Sequence, residues 1–186
     1  LKVVSLHHEE KKLIEQAMTN NRHAQHQLYS RFAPKMLGVC RQYIKDLQQA
    51  EDVMITGFMK VFTNLSSFEH KGSFEGWIRR IMINECISFI RVKKDVKFMD
   101  DESFAEDSHN SIESQLSLDD LQFLIDNLPE GYKMVFNLYV IEGYKHQEIA
   151  KMLGITEGTS KSQLSRAREV LQTQIQKLKN YSYGTE

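Results

Sequence analysis

The sequence predicts an all-α protein: two small helical domains joined by a flexible acidic linker, the C-terminal one a helix-turn-helix. Three observations predict it. Apolar residues recur at three- and four-residue spacing, and strand-type alternation is nearly absent. Only two prolines, Pro34 and Pro129, interrupt 186 residues. Between the two periodic parts, residues 97–114 are acidic, serine-rich and poor in large apolar side chains, a composition that cannot bury a core.

A first helix is expected over 9–18. A second covers 23–43, with Leu28, Phe32, Met36, Leu37 and Cys40 on one stripe; Pro34 inside it is expected to kink or restart the helix. A third runs over 48–65 and turns Val53, Phe58, Val61, Phe62 and Leu65 inward. Residues 66–73 read as a loop containing Gly72. Ser73 then suits the N-cap of a fourth helix over 74–94. Beyond the linker, helices are expected over 118–127, 132–141, 145–153 and 157–178, with Pro129 and Gly131 breaking the chain. No internal repeat is visible.

Composition narrows the function. No apolar stretch approaches the roughly 20 residues that span a bilayer, so a cytoplasmic protein is expected. The opening residues form too short an apolar run for a secretory leader. Without methionine at position 1, that end is expected to be trimmed or to carry tag residues, His7 and His8 among them. Cys40 and Cys86 lie far apart, outside any C-x-x-C pair, and are expected to be plain buried thiols. His23 and His26 have helical spacing, but no further ligand completes a metal set. No metal, cofactor or small-molecule substrate is assigned. No nucleophile–base set, carboxylate pair or phosphate loop stands out, so the protein is not expected to be an enzyme.

A net charge of −1 hides strong local asymmetry. Arg79, Arg80, Arg91, Lys93, Lys94 and Lys97 face only Glu85 and Asp95, whereas residues 99–130 hold no Lys or Arg. Blocks of this kind report on partners rather than on fold.

The sharpest local signal spans 144–171. Ile149, Ala150 and Leu153 make the apolar face of a short helix, and Gly154 follows where a tight turn needs positive φ. Ile155 plugs the corner. Thr156 caps a second helix, with Glu157 in its first turn. This is helix-turn-helix spacing, whose second helix enters the major groove. On its exposed face the pattern places Thr159, Ser160, Lys161, Ser162, Gln163, Arg166 and Arg168, able to reach base edges or hold phosphate. An ordinary solvated helix face has similar composition; the turn in front of it favours DNA.

In the first module, Phe68, Phe74 and Trp77 surround the polar loop from Glu69 to Ser73, and Arg79, Arg80, Asn84 and Arg91 follow. Rings beside cations suit unstacked single-stranded bases, and loop plus helix could pocket an extruded base. Phe74, Trp77, Ile78 and Ile81 equally suit a plain core, and the residues alone leave both readings open. The helix carrying Glu51, Asp52, Phe58 and Phe62 reads by itself as an amphipathic core helix.

Two sets of motifs carry a family resemblance. Ala50-Glu51-Asp52-Val53 with the phenylalanines after it, and the run from Phe74 to Asn84, resemble the second domain of extracytoplasmic-function (ECF) sigma factors of the sigma-70 superfamily. Leu128-Pro129, Gln147-Glu148-Ile149-Ala150 and the run from Gly158 to Arg168 resemble their fourth domain. The resemblance implies a domain over 8–96 that binds core polymerase and the −10 element, a linker over 97–116 and a −35-binding domain over 117–181. It implies that Glu51, Asp52, Phe58 and Phe62 bind the polymerase β′ clamp, and that the β flap is also contacted. It places Phe68, His70, Lys71, Trp77, Arg80, Asn84 and Arg91 at the −10 element, the loop from Phe68 to Ser73 capturing a flipped base. It places Thr159, Lys161, Ser162, Gln163, Arg166 and Arg168 at the −35 element. An anti-sigma factor, often membrane-bound, is implied as a further partner. The sequence departs from the pattern at Gln163, where the family often has Arg, and at Met54-Ile55-Thr56, where a more polar run is usual.

Promoter-specific transcription initiation is therefore the leading expectation. A stand-alone helix-turn-helix regulator would explain 145–171 but not the pattern around Trp77. A sigma-like decoy for an anti-sigma factor would leave the cationic helix unexplained.

Overall fold

Side-chain caps set where the helices begin. Asn21 Oδ1 accepts from the backbone N–H groups of His23 (3.0 Å) and Ala24 (3.1 Å), opening α2 (Arg22–Tyr43). Asp46 accepts from Gln49 N–H at 2.8 Å and opens α3 (Leu47–Thr63). Ser73 Oγ accepts from Gly76 N–H at 3.1 Å and opens α4 (Phe74–Lys93). Each satisfies an N–H that the first turn leaves without a partner. The computed structural model describes residues 2–93 and 118–183, and all regular structure among them is helical. The chain divides into two units, Leu1–Asp95 and Val96–Glu186. The expected linker, 97–116, lies outside the described residues. Among those described, no helix is long and apolar enough to cross a membrane.

In the first unit, α2, α3 and α4 pack on one another and α1 (Lys2–Met18) packs on α2. α1 starts seven residues before the expected position; the β-branched Val3 and Val4 weaken the helical signal there. Leu28, Phe32, Met36 and Cys40 are buried, and Leu37 sits half-buried at the edge of their stripe. α2 does not restart at Pro34. The proline is exposed while Ala33 and Met36 are buried, so packing on both sides holds the helix together against the lost hydrogen bond. α3 ends at Thr63, and Leu65–Ser67 forms a 3₁₀ turn. Gly57 lets α3 approach α4 where Met82 crosses it. Cys40 and Cys86 are free, buried and face each other; their hydrogen bond, then burial, pushes the Cys86 thiol far above the ordinary range.

The second unit contains α5 (Leu118–Asp126), α6 (Glu130–Phe136), a π-helical segment (Asn137–Ile141), α7 (His146–Leu153) and α8 (Glu157–Tyr183). α5, α6 and α7 all contact α8. Pro129 takes the N-cap of α6, so Gly131 lies inside the helix and is not a break. A Cβ there would come within 3.1 Å of Gln163 Nε2, which makes Gly131 a packing glycine. Lys133 and Asp126 form a buried ion pair at 3.0 Å between α6 and α5.

Candidate nucleic-acid interface

In the second unit the corner between α7 and α8 has the expected geometry. Gly154 is left-handed, at φ 70° and ψ 32°, and its N–H reaches Ala150 O. Ile155 fills the turn half-buried. Thr156 Oγ1 accepts from Thr159 N–H at 3.0 Å and meets Thr159 Oγ1 at 2.8 Å. The Thr159 hydroxyl therefore belongs to the cap.

α8 then sorts the expected readers. Lys161, Ser162, Arg166 and Arg168 are exposed. Gln163 is 4% exposed and Ser160 is fully buried, against the expectation that both face outward. The reason is periodicity: 160, 163, 164 and 167 share the face that packs inward with Leu164 and Ala167. Gln163 Oε1 has no hydrogen-bond partner among the described residues. The exposed cations lie on two flanks. Lys161 and Arg168, one heptad apart, stand on the side of Tyr139, the Arg168 guanidinium 5.9 Å from that ring. Ser162 and Arg166 stand on the other, where Arg166 donates to Tyr132 Oη at 3.3 Å. Lys161 pairs with Glu157 at 2.7 Å, which holds that carboxyl below its usual range.

Ser160 is satisfied by a residue that motif reading left unassigned. His146 Nδ1 lies 2.9 Å from Ser160 Oγ, and the His146 ring stacks on Tyr139 with centroids 4.5 Å apart and planes at 21°. Burial, then Lys161 and Arg168, lower the His146 pKa, while Glu157 opposes them. A histidine at the start of α7, fourteen residues before a serine on the inward face of α8, was the only available signal.

In the first unit, Trp77, Arg80, Asn84 and Arg91 share one face of α4, at positions i, i+3, i+7 and i+14; Trp77 is half-buried and the others are exposed. The adjoining loop is tightly set. His70 (φ 57°) and Gly72 (φ 97°) adopt left-handed backbone, and Lys71 pairs with Glu69 at 2.6 Å. Phe68 is only 6% exposed. It packs under the loop against His70 (4.7 Å), Phe74 (5.1 Å) and Trp77 (5.5 Å). Its ring is thus a floor for the loop, not a surface that a base could stack on.

The outer face of α3 presents Glu51 and Asp52, both exposed, together with Ile55 and Met59. Phe58 turns inward as its helical spacing predicts, 3% exposed and edge-on to Tyr29 at 4.8 Å, so it is not on the surface where the family resemblance would have it meet the polymerase. It points to the core because it shares the inward face with Met54 and Val61. Phe62 is half-buried beside it.

Comparison with known proteins adds independent findings. The family models of sigma-70 region 2 and sigma-70 region 4 match residues 28–95 and 118–171. The ECF RNA polymerase sigma-E factor of Haemophilus influenzae is 26% identical over 180 residues, covering 89% of this chain and 95% of that protein. The ECF RNA polymerase sigma factor SigW of Bacillus subtilis is 28% identical, covering 90% and 97%. Among solved structures, the sigma factor RpoE of Bartonella quintana, in complex with the anti-sigma factor NepR, matches with a TM-score of 0.53 at 25% identity, over 81% of this chain and 95% of that one.

Proposed function

We propose a division of labour between the two units from the premise that this chain belongs to the ECF group of the sigma-70 family and is an RNA polymerase sigma factor. It joins core polymerase, directs it to promoters and acts in the cytoplasm without catalysis of its own. The first unit is the −10 module, over about 8–96 extended forward by α1. The second, over 117–181, is the −35 module, with 97–116 as the linker. The observation that carries this is the single exposed face of α4 bearing Trp77, Arg80, Asn84 and Arg91. A ring with cations and an amide along one line suits a separated DNA strand.

In this reading, His70 and Lys71 at the preset loop meet an extruded base, with Phe68 supporting them from below. Lys161, Ser162, Arg166 and Arg168 engage the −35 duplex, some at base edges and some at phosphates. Glu51 and Asp52 bind the β′ clamp, and the second unit meets the β flap. An anti-sigma factor covers one or both units in the repressed state; the Bartonella relative was solved with such a partner.

Run-off transcription with core polymerase, this chain and a genomic library of promoter fragments tests the reading. Discrete transcripts that need this chain are expected, and their start points give both promoter elements. DNA binding by the chain alone with no transcript would favour the stand-alone regulator.

A further inference from the structure

A cleft of about 390 Å³ opens between the π segment, α7 and α8, with Tyr139, His146, Lys161, Arg168 and Glu169 in its wall. The hydrogen bonding of Ser160 fixes what His146 presents there. Ser160 is fully buried, and among the described residues its hydroxyl has no hydrogen-bond partner, backbone carbonyls included, other than His146 Nδ1. A buried hydroxyl proton needs an acceptor, so Ser160 O–H donates and Nδ1 accepts. A neutral imidazole accepting at Nδ1 carries its proton on Nε2. Burial and the neighbouring cations favour that neutral form, and stacking on Tyr139 holds the plane of the ring. His146 thus brings to the cleft wall an N–H donor whose tautomer and orientation are set.

We propose that His146 is a DNA-backbone contact, its Nε2–H donating to a phosphodiester oxygen of the duplex engaged by α8. This rests on the reading of the second unit as a DNA-binding module. Charge selects the kind of phosphate. Glu157, paired with Lys161, and Glu169 offset Lys161 and Arg168, so the cleft offers little net attraction to a free dianion. A phosphodiester carries a single charge and arrives held by contacts elsewhere on the duplex. A neutral donor is then enough to fix its register.

Asparagine is the informative substitution at 146. Its Oδ1 can take the place of Nδ1 and accept the Ser160 proton, while nothing reaches the position of Nε2. Holoenzyme containing wild-type chain or His146→Asn is bound to a promoter fragment from the run-off assay. Each phosphate around the −35 element is replaced in turn by methylphosphonate. One position is expected where neutralisation weakens the wild type by about tenfold, the scale of one hydrogen bond to a charged group, and leaves His146→Asn unaffected. Equal sensitivity of both proteins at every phosphate overturns the assignment. A second arm titrates the full chain with inorganic phosphate and follows the His146 ring nitrogens by NMR. A saturating shift there makes free phosphate the occupant and also overturns it. If the library yields no promoter, the sigma reading fails by itself. The same scan on unselected duplex bound by the full chain still decides the role of His146.

Discussion

A Cβ built on Gly57 would fall on Met82 Sδ and within 2.9 Å of its Cε. Met82 is fully buried, so neither side chain nor helix can yield without disturbing the α3–α4 contact. Gly57→Ala is expected to destabilise the first unit by about 1–3 kcal/mol, the usual scale for overpacking a core, read from urea unfolding. An unchanged midpoint would mean that Met82 has another rotamer available. Such single-residue constraints were mostly not legible in the sequence. Nothing around Gly57 announces a close approach, since the signal lies in which residue of another helix crosses it. Gln163, Ser160 and Phe68 lie inside for a related reason. Residue chemistry marked them as contacts, and the side of the helix or loop on which they fall turned them inward.

Helix existence and order were legible, because spacing of apolar residues and cap chemistry are local properties: Ser73, Gly154 and Thr156 act as their positions implied. The π segment Asn137–Ile141 and the continuity of α2 through Pro34 were not, since tertiary packing decides both. The junction of α7 with α8 carries a consequence for pH. The folded-state pKa of His146 lies below its ordinary 6.5, so between the two values the unfolded chain binds more protons than the folded one. Stability is therefore fully present above about pH 6.5 and falls as pH drops through the folded value. Burial pushes in this direction, then Lys161 and Arg168; Glu157 opposes, and Tyr139 stacks on the ring. Unfolding free energy of the wild type is expected to fall more steeply between pH 7 and 5 than that of His146→Asn, which has no imidazole to protonate. Parallel curves would show that the ring is not held toward its neutral form.

At the scale of the molecule, near-neutral net charge sets the physical problem. A chain of net charge −1 gains little from long-range attraction to DNA, so local cations must carry the contact once core polymerase has brought the duplex close. Salt then separates their roles. Each phosphate neutralised contributes about 0.9 to the slope of log K against log salt. Lys161→Met and Arg166→Met, measured one at a time in holoenzyme on a −35 duplex, each divide two outcomes. A slope lowered by about one, with affinity reduced alike on all sequences, marks a phosphate contact. An unchanged slope with lost discrimination at one base pair marks a base reader. Because Lys161 and Arg166 stand on opposite flanks of α8, they are expected to act on different strands, with effects on affinity that add. Strong non-additivity would place both on one strand and argue that α8 lies more obliquely across the groove. No change in slope or discrimination for either would remove α8 from the DNA, and with it the assignment of the second unit.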